Sequence, residues 1–143
     1  MITSIERPVQ VIAGRAPAAA TDTTITPMAA LKGCTAYTGS GYAVYRGCAV
    51  ENQWGNVYLG FNADYQIING TYDRIDHVYN QTATCWGWGW GCSSPTYDAV
   101  KYSEDGWGSA KARLHSWINS PLSSYDVWVQ LNVGGNTAWA SNS

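Results

Sequence analysis

The stretch Cys85-Trp-Gly-Trp-Gly-Trp-Gly-Cys92 constrains this chain more than any other. Two cysteines bracket three tryptophans at alternate positions, with glycine in each gap. If the segment is extended, a period of two sends Trp86, Trp88 and Trp90 to one face and leaves the other face bare. Glycine loses much backbone freedom when it is ordered, so such a run needs a closure, and a disulfide between its two ends would supply one. The expectation is a stapled aromatic platform, serving as a lid on the core or as a contact surface.

Cys34 and Cys48 complete the four cysteines. In a small aromatic chain that number points to two disulfides and an oxidising compartment. Of the three possible pairings, 34–48 with 85–92 requires the shortest closures, and the sequence alone leaves the pairing open. A zinc site would need ligand spacings the chain lacks. No C-x₂-C occurs, and His77 is the one histidine near either cysteine pair.

Charged residues make up 13% of the chain, while Trp and Tyr number 8 and 10. That balance argues for a compact, β-rich domain packed with Tyr and Trp, and against disorder. Net charge is −2 and Lys and Arg are scattered, so no basic stripe exists to neutralise phosphates and nucleic acid is not an expected partner. No apolar run approaches the roughly 20 residues that span a bilayer, so no membrane span is expected. Glu6 and Pro8 interrupt the first 17 residues, which hold no signal-peptide core, although Ala18-Ala-Ala20 has the small-residue character of a cleavage site. The cysteines still set the expected location as secreted or extracellular. Asn69-Gly-Thr71 and Asn80-Gln-Thr82 match the glycosylation sequon, a pattern common by chance.

Composition changes at Gly33-Cys34, where the aromatics begin. Residues 1–33 are rich in Ala, Thr, Pro and Ile and read as an extended N-terminal arm. Its β-prone runs are Val9-Gln-Val-Ile12 and Thr23-Thr-Ile-Thr26, set apart by Pro8, Pro17 and Pro27. The sharper role for the arm is a strand donated to a partner's sheet edge, with Val9, Val11, Thr24 and Ile25 as its binding residues. From Cys34 to the end at 143 the pattern is β throughout. Short alternating runs such as 42–45, 56–61, 65–68, 75–79, 97–102 and 125–131 are split by Gly, Asn and Asp. Ser109 to Ile118 has some helical character, but its place between strands favours strand.

Sliding the chain on itself gives one informative offset, 53 residues. Glu51-Asn-Gln-Trp-Gly55 falls on Glu104-Asp-Gly-Trp-Gly108, and Tyr72-Asp73 falls on Tyr125-Asp126. The matching order implies a duplication. The expected architecture is an all-β, disulfide-stabilised sandwich of two Greek-key units, about 34–84 and 93–135, joined by the Trp-rich loop 85–92.

This pattern resembles the βγ-crystallin superfamily, in particular its microbial secreted members of killer-toxin-like and small protease-inhibitor type. The carrying residues are Tyr102-Ser-Glu-Asp-Gly-Trp-Gly108 and, in the first unit, Tyr45-Arg46 through Trp54-Gly55. The family's calcium loop would fall on Tyr72-Asp-Arg-Ile-Asp-His77 and Tyr125-Asp-Val-Trp-Val-Gln130. Both have Tyr at the first acidic position and lack the Ser. A hard cation takes six to eight oxygens. Asp73 and Asp76 would be the remnant of a weak metal site, with turn capping as their ordinary role.

No catalytic residue is expected. His77 and His115 stand in no triad or metal spacing, no nucleophile or phosphate-loop motif occurs, and the cysteines are committed to bridges. Glu51, Asp73, Glu104 and Asp126 would be able to set two carboxylates across a cleft, but acids at repeat-related positions commonly serve turns. The expected function is non-enzymatic and needs no cofactor. It is a secreted protein-interaction module, an adaptor or structural subunit of a larger assembly such as a bacterial toxin particle or virion surface, docking a protein partner through its arm. The alternatives are a lectin-like carbohydrate-binding module using the Trp loop, and a small secreted inhibitor or toxin.

Overall fold

A computed structural model of the chain describes residues 30–143. Val9, Val11, Thr24 and Ile25, and with them most of the expected arm, lie outside the described residues. The first described strand begins at Ala30, four positions before the boundary expected at Cys34.

Ten strands follow: β1 Ala30–Lys32, β2 Thr35–Gly39, β3 Tyr42–Trp54, β4 Val57–Ile68, β5 Arg74–Cys85, β6 Gly91–Cys92, β7 Thr96–Lys101, β8 Ala110–Asn119, β9 Ser124–Gly134 and β10 Thr137–Asn142. They form two five-stranded antiparallel sheets. In the first, β3, β4 and β5 lie side by side and both β1 and β2 pair with β3. The second has the same plan, with β8, β9 and β10 side by side and both β6 and β7 on β8. Alternation explains the strands. In β8, Ala110, Ala112, Leu114, Ser116 and Ile118 are buried, and the residues between them face outward. The helical reading of this segment therefore fails, because its inward positions repeat every two residues.

The inner faces of both sheets feed one core. Val50, Val57 and Leu59 of the first sheet and Leu114, Ile118, Val129 and Leu131 of the second are fully buried. Each such side chain contributes about 1.5–3 kcal/mol relative to exposure. Aromatics add contacts of defined geometry: Tyr45 stacks on Tyr65 at 4.8 Å between ring centres, and Phe61 meets the edge of Tyr97, across the sheets, at 5.6 Å. The fold is thus an all-β, disulfide-stabilised, sandwich-like structure.

The bridges join Cys34 to Cys48 and Cys85 to Cys92. The first ties the β1–β2 corner to a bulge in β3 between Tyr45 and Cys48. The bulge is held open by Asp64, which accepts a 2.8 Å hydrogen bond from the Gly47 N–H.

Two expectations need correction. Within each sheet the long strands pair with their sequence neighbours, which is a meander, whereas a Greek key needs a long return connection to a non-adjacent strand. The β9–β10 connection is a tight turn at Gly135-Asn136, whose φ values of 61° and 63° suit a two-residue hairpin. The 53-residue offset also joins residues in different places. Glu51 to Gly55 finish β3 and enter its hairpin, but Glu104 to Gly108 lie in the loop from β7 to β8. Asp73 closes the β4–β5 turn, while Asp126 stands near the start of β9. The halves are alike in strand order, not in that register.

Candidate functional site

Three loops meet at the end of the sandwich that carries the Trp segment. They are the β3–β4 turn, residues 85–92 and the β8–β9 turn. The Trp86 N–H donates to the Asn56 carbonyl at 3.1 Å, and the Trp90 N–H donates back to the Gly87 carbonyl at 3.2 Å. Residues 87–89 therefore make a turn, and the extended platform expected from the alternation does not form. Gly87 and Gly89 have φ of +102° and +80°. A Cβ on Gly87 would lie 2.7 Å from the Asn56 side chain, and one on Gly89 would lie 2.9 Å from Pro121. Both glycines are needed to seat the loop against its neighbours.

The turn sends the tryptophans in different directions. Trp90 packs against the core, Trp86 is 41% exposed and Trp88 is 90% exposed. Leu122, in the turn that touches Gly89 through Pro121, is 95% exposed. The segments that build this end, 52–63, 78–97 and 116–125, contain no Asp, Glu, Lys or Arg. Uncharged surface with Trp and Leu at its tips has little to gain from remaining in water.

The opposite end is organised by carboxylates. Asp73 is fully buried and accepts hydrogen bonds from the N–H groups of Ile68 and Asn136, both at 2.8 Å. Its own N–H donates to Glu104 at 2.9 Å, and the second oxygen of Glu104 accepts from the Gly135 N–H at 2.9 Å. Two side chains thereby lock together the β4–β5 turn, the β7–β8 loop and the β9–β10 turn. Burial holds the Asp73 carboxyl above the ordinary carboxylate value. The two N–H donors oppose that shift, and the nearby Glu104 charge adds to it. On the exposed β7–β8 loop, Asp105 is held below its ordinary value by its hydrogen bond to Lys101.

Hydrogen bonds already occupy Asp73 and Asp76, the two acids read as a remnant metal site. Asp73 has both oxygens on backbone N–H groups, and Asp76 binds Gln66 at 2.9 Å and Arg74 at 3.0 Å. They do not converge, and among the described residues no group of three or more His, Cys, Asp or Glu side chains is placed to hold an ion. Of the four acids considered for a cleft, Glu51 accepts from the Tyr58 hydroxyl, a phenol pushed up to about 12 by burial first and then by this bond, and Asp126 pairs with His115. Only Asp73 and Glu104 are neighbours, and they are joined through backbone. Among the described residues no helix is long and apolar enough to cross a membrane.

The outer face of the second sheet carries a constellation that the sequence reading passed over. Registers place Lys111, Arg113, His115 and Trp117 of β8 opposite Asn132, Gln130, Trp128 and Asp126 of β9, all on this face. Trp139 of β10 lies opposite Asn132. The Arg113 guanidinium sits 4.4 Å over the Trp128 ring, and its Nε donates to Gln130 at 3.0 Å. Gln130 in turn donates to Asn132, whose amide donates to Ser141 Oγ at 3.1 Å. Thr96 Oγ1 lies 2.9 Å from His115 Nε2, and His115 Nδ1 lies 2.7 Å from Asp126. A hydroxyl–imidazole–carboxylate order serves acyl transfer when an oxyanion site faces the hydroxyl. Here it runs across three adjacent strands of an open sheet face and bonds them laterally. The signal for this face was the alternation of Lys111-x-Arg-x-His-x-Trp117 and Asp126-x-Trp-x-Gln-x-Asn132.

Fold and surfaces define a small all-β, disulfide-stabilised sandwich with an uncharged tryptophan tip. No protein-family model matches the sequence, and no curated protein matches it either. Among solved structures, the chain is similar in fold to a hypothetical protein from Listeria monocytogenes EGD-e. The two share 17% identity at a TM-score of 0.54, over 76% of this chain and 70% of that one.

Proposed function

We propose that this protein is a non-enzymatic interaction module of an oxidising, extracellular setting, which docks onto a protein partner through its uncharged loop end with Trp88 as the anchor. The observation that carries the reading is the 90% exposure of Trp88 on a loop closed by Cys85–Cys92. An aromatic anchor held rigid before binding loses little entropy when it enters a pocket. Trp90 and Pro121 back the loop, and Leu122 extends the apolar contact. The absence of charge in all three loops means that no ion need be desolvated as the end is covered. An adaptor or structural subunit in a larger assembly fits this geometry. A strand donated by the residues around Val9, Val11, Thr24 and Ile25 would add a second attachment.

The test is photo-crosslinking from position 122 to the partner, followed by affinity measurement of Trp88→Ala. A loss of about 30-fold is expected, the scale of an interface hot spot. Trp107→Ala serves as control, since Trp107 is 95% exposed at the opposite end. Equal affinity of the Trp88 variant and the native chain would remove the reading. Binding to a glycan array abolished by Trp88→Ala would replace it with the lectin-like one.

A further inference from the structure

We propose that the outer face of the second sheet is a binding site for an acidic glycan, a chain of sugar rings carrying carboxylate or sulfate groups. The site is Trp117, Trp128 and Trp139 with Arg113, Lys111 and Gln130, and it is separate from the Trp loop.

The tryptophans form a diagonal row, one on each of three adjacent strands. Strand spacing and rise put Trp128 about 8 Å from Trp117 and about 14 Å from Trp139, measured between backbones. Trp117 is 48% and Trp139 44% exposed. The C–H face of a sugar ring is apolar and lies flat on an aromatic ring, so spaced tryptophans suit a linear chain of rings. Between them runs a ladder of planar polar groups, from Arg113 through Gln130 to Asn132. Gln130 and Asn132 are 9% and 7% exposed, so their rotamers are fixed in advance.

Charge selects the sugar. The chain carries −2 overall, yet Lys111 and Arg113 stand two residues apart on this face, and among the described residues neither has an ion-pair partner. Arg113 is positioned by Trp128 and by its Nε bond, which leaves the terminal nitrogens to meet an anion in a fork. Two other ligand classes fit less well. Nucleic acid would demand a longer run of cations, and a protein hot spot would demand tryptophans clustered at a dry centre, where here they are spread among hydrogen-bonding groups.

The experiment is calorimetric titration of the full chain with a neutral hexose oligosaccharide and with uronate and sulfated oligosaccharides of the same length. The expected result is binding to at least one acidic chain at least tenfold tighter than to the neutral one, weakening as salt is raised. Arg113→Gln should remove that preference. Lys111→Gln, at an exposed position that folding tolerates, should reduce it. Trp139→Ala should weaken every chain that binds, and Trp88→Ala none. Equal binding of neutral and acidic chains, binding to neither, or loss of binding in Trp88→Ala overturns the proposal. The uronate and sulfate arms identify which anion the face takes.

Discussion

At one end of the sandwich three loops are tied together by Asp73 and Glu104, and at the other a disulfide closes one of three loops while its glycines admit close contact with the other two. At the carboxylate end four backbone N–H groups satisfy buried Asp73 and half-buried Glu104. The tryptophan end does without charge and closes itself covalently. The difference teaches where surface is free to vary. Carboxylates that crosslink loops must point inward and leave nothing to offer a partner. A staple inside one loop fixes that loop while leaving its tip, Trp88, directed outward.

Breaking the carboxylate end should have the largest effect. Asp73→Ala would orphan the N–H groups of Ile68 and Asn136, and about 3 kcal/mol of stability should be lost, measured by urea unfolding. Opening the tryptophan end should cost somewhat less. Cys85→Ser with Cys92→Ser releases one short loop, worth about 2–3 kcal/mol on loop-closure entropy. The outcome that sharpens the contrast is a Trp88 fluorescence anisotropy that falls in the double serine variant and stays high in Asp73→Asn.

The smallest effect is in pH dependence. The folded-state pKa of Asp73 lies above its unfolded value, so folded Asp73 binds its proton more readily. Its contribution to stability is therefore fullest below the ordinary value of 3.8 and declines as pH rises through the raised one. Urea midpoints of the native chain and Asp73→Asn, followed upward from that pH, should diverge, with the native chain losing relative stability. Parallel curves would mean that the two N–H donors balance burial, and a native chain that gains relative stability as pH rises would mean that they outweigh it.

Much of the strand pattern was legible. Alternation marked β4 and β9, because one buried face imposes a period of two, whereas β8 was favoured as strand only by its place between strands. The Trp loop misled for a physical reason. Alternate Trp and Gly fit a strand on paper, but Gly87 and Gly89 take positive φ, which turns the chain and separates Trp88 from Trp90. The 53-residue offset misled because tryptophan, glycine and acid recur at turns of any kind, so Asp73 and Asp126 matched in letters while one is a buried crosslink and the other the partner of His115. The row Trp117, Trp128 and Trp139 was present as alternation. Reading it as a surface requires knowing the register that sets three strands side by side.

The neighbour-to-neighbour pairing of strands has a consequence for how the chain is made. All described strands of the first sheet have left the ribosome once Cys85 has, and of the four thiols in this sequence only Cys34 and Cys48, 14 positions apart, precede it. Cys92 follows Cys85 after seven positions. If oxidation keeps pace with emergence, the native partner is the first one each thiol meets, and short closures are the fastest to form. Order of synthesis then selects the correct bridges, without a search among the three possible pairings.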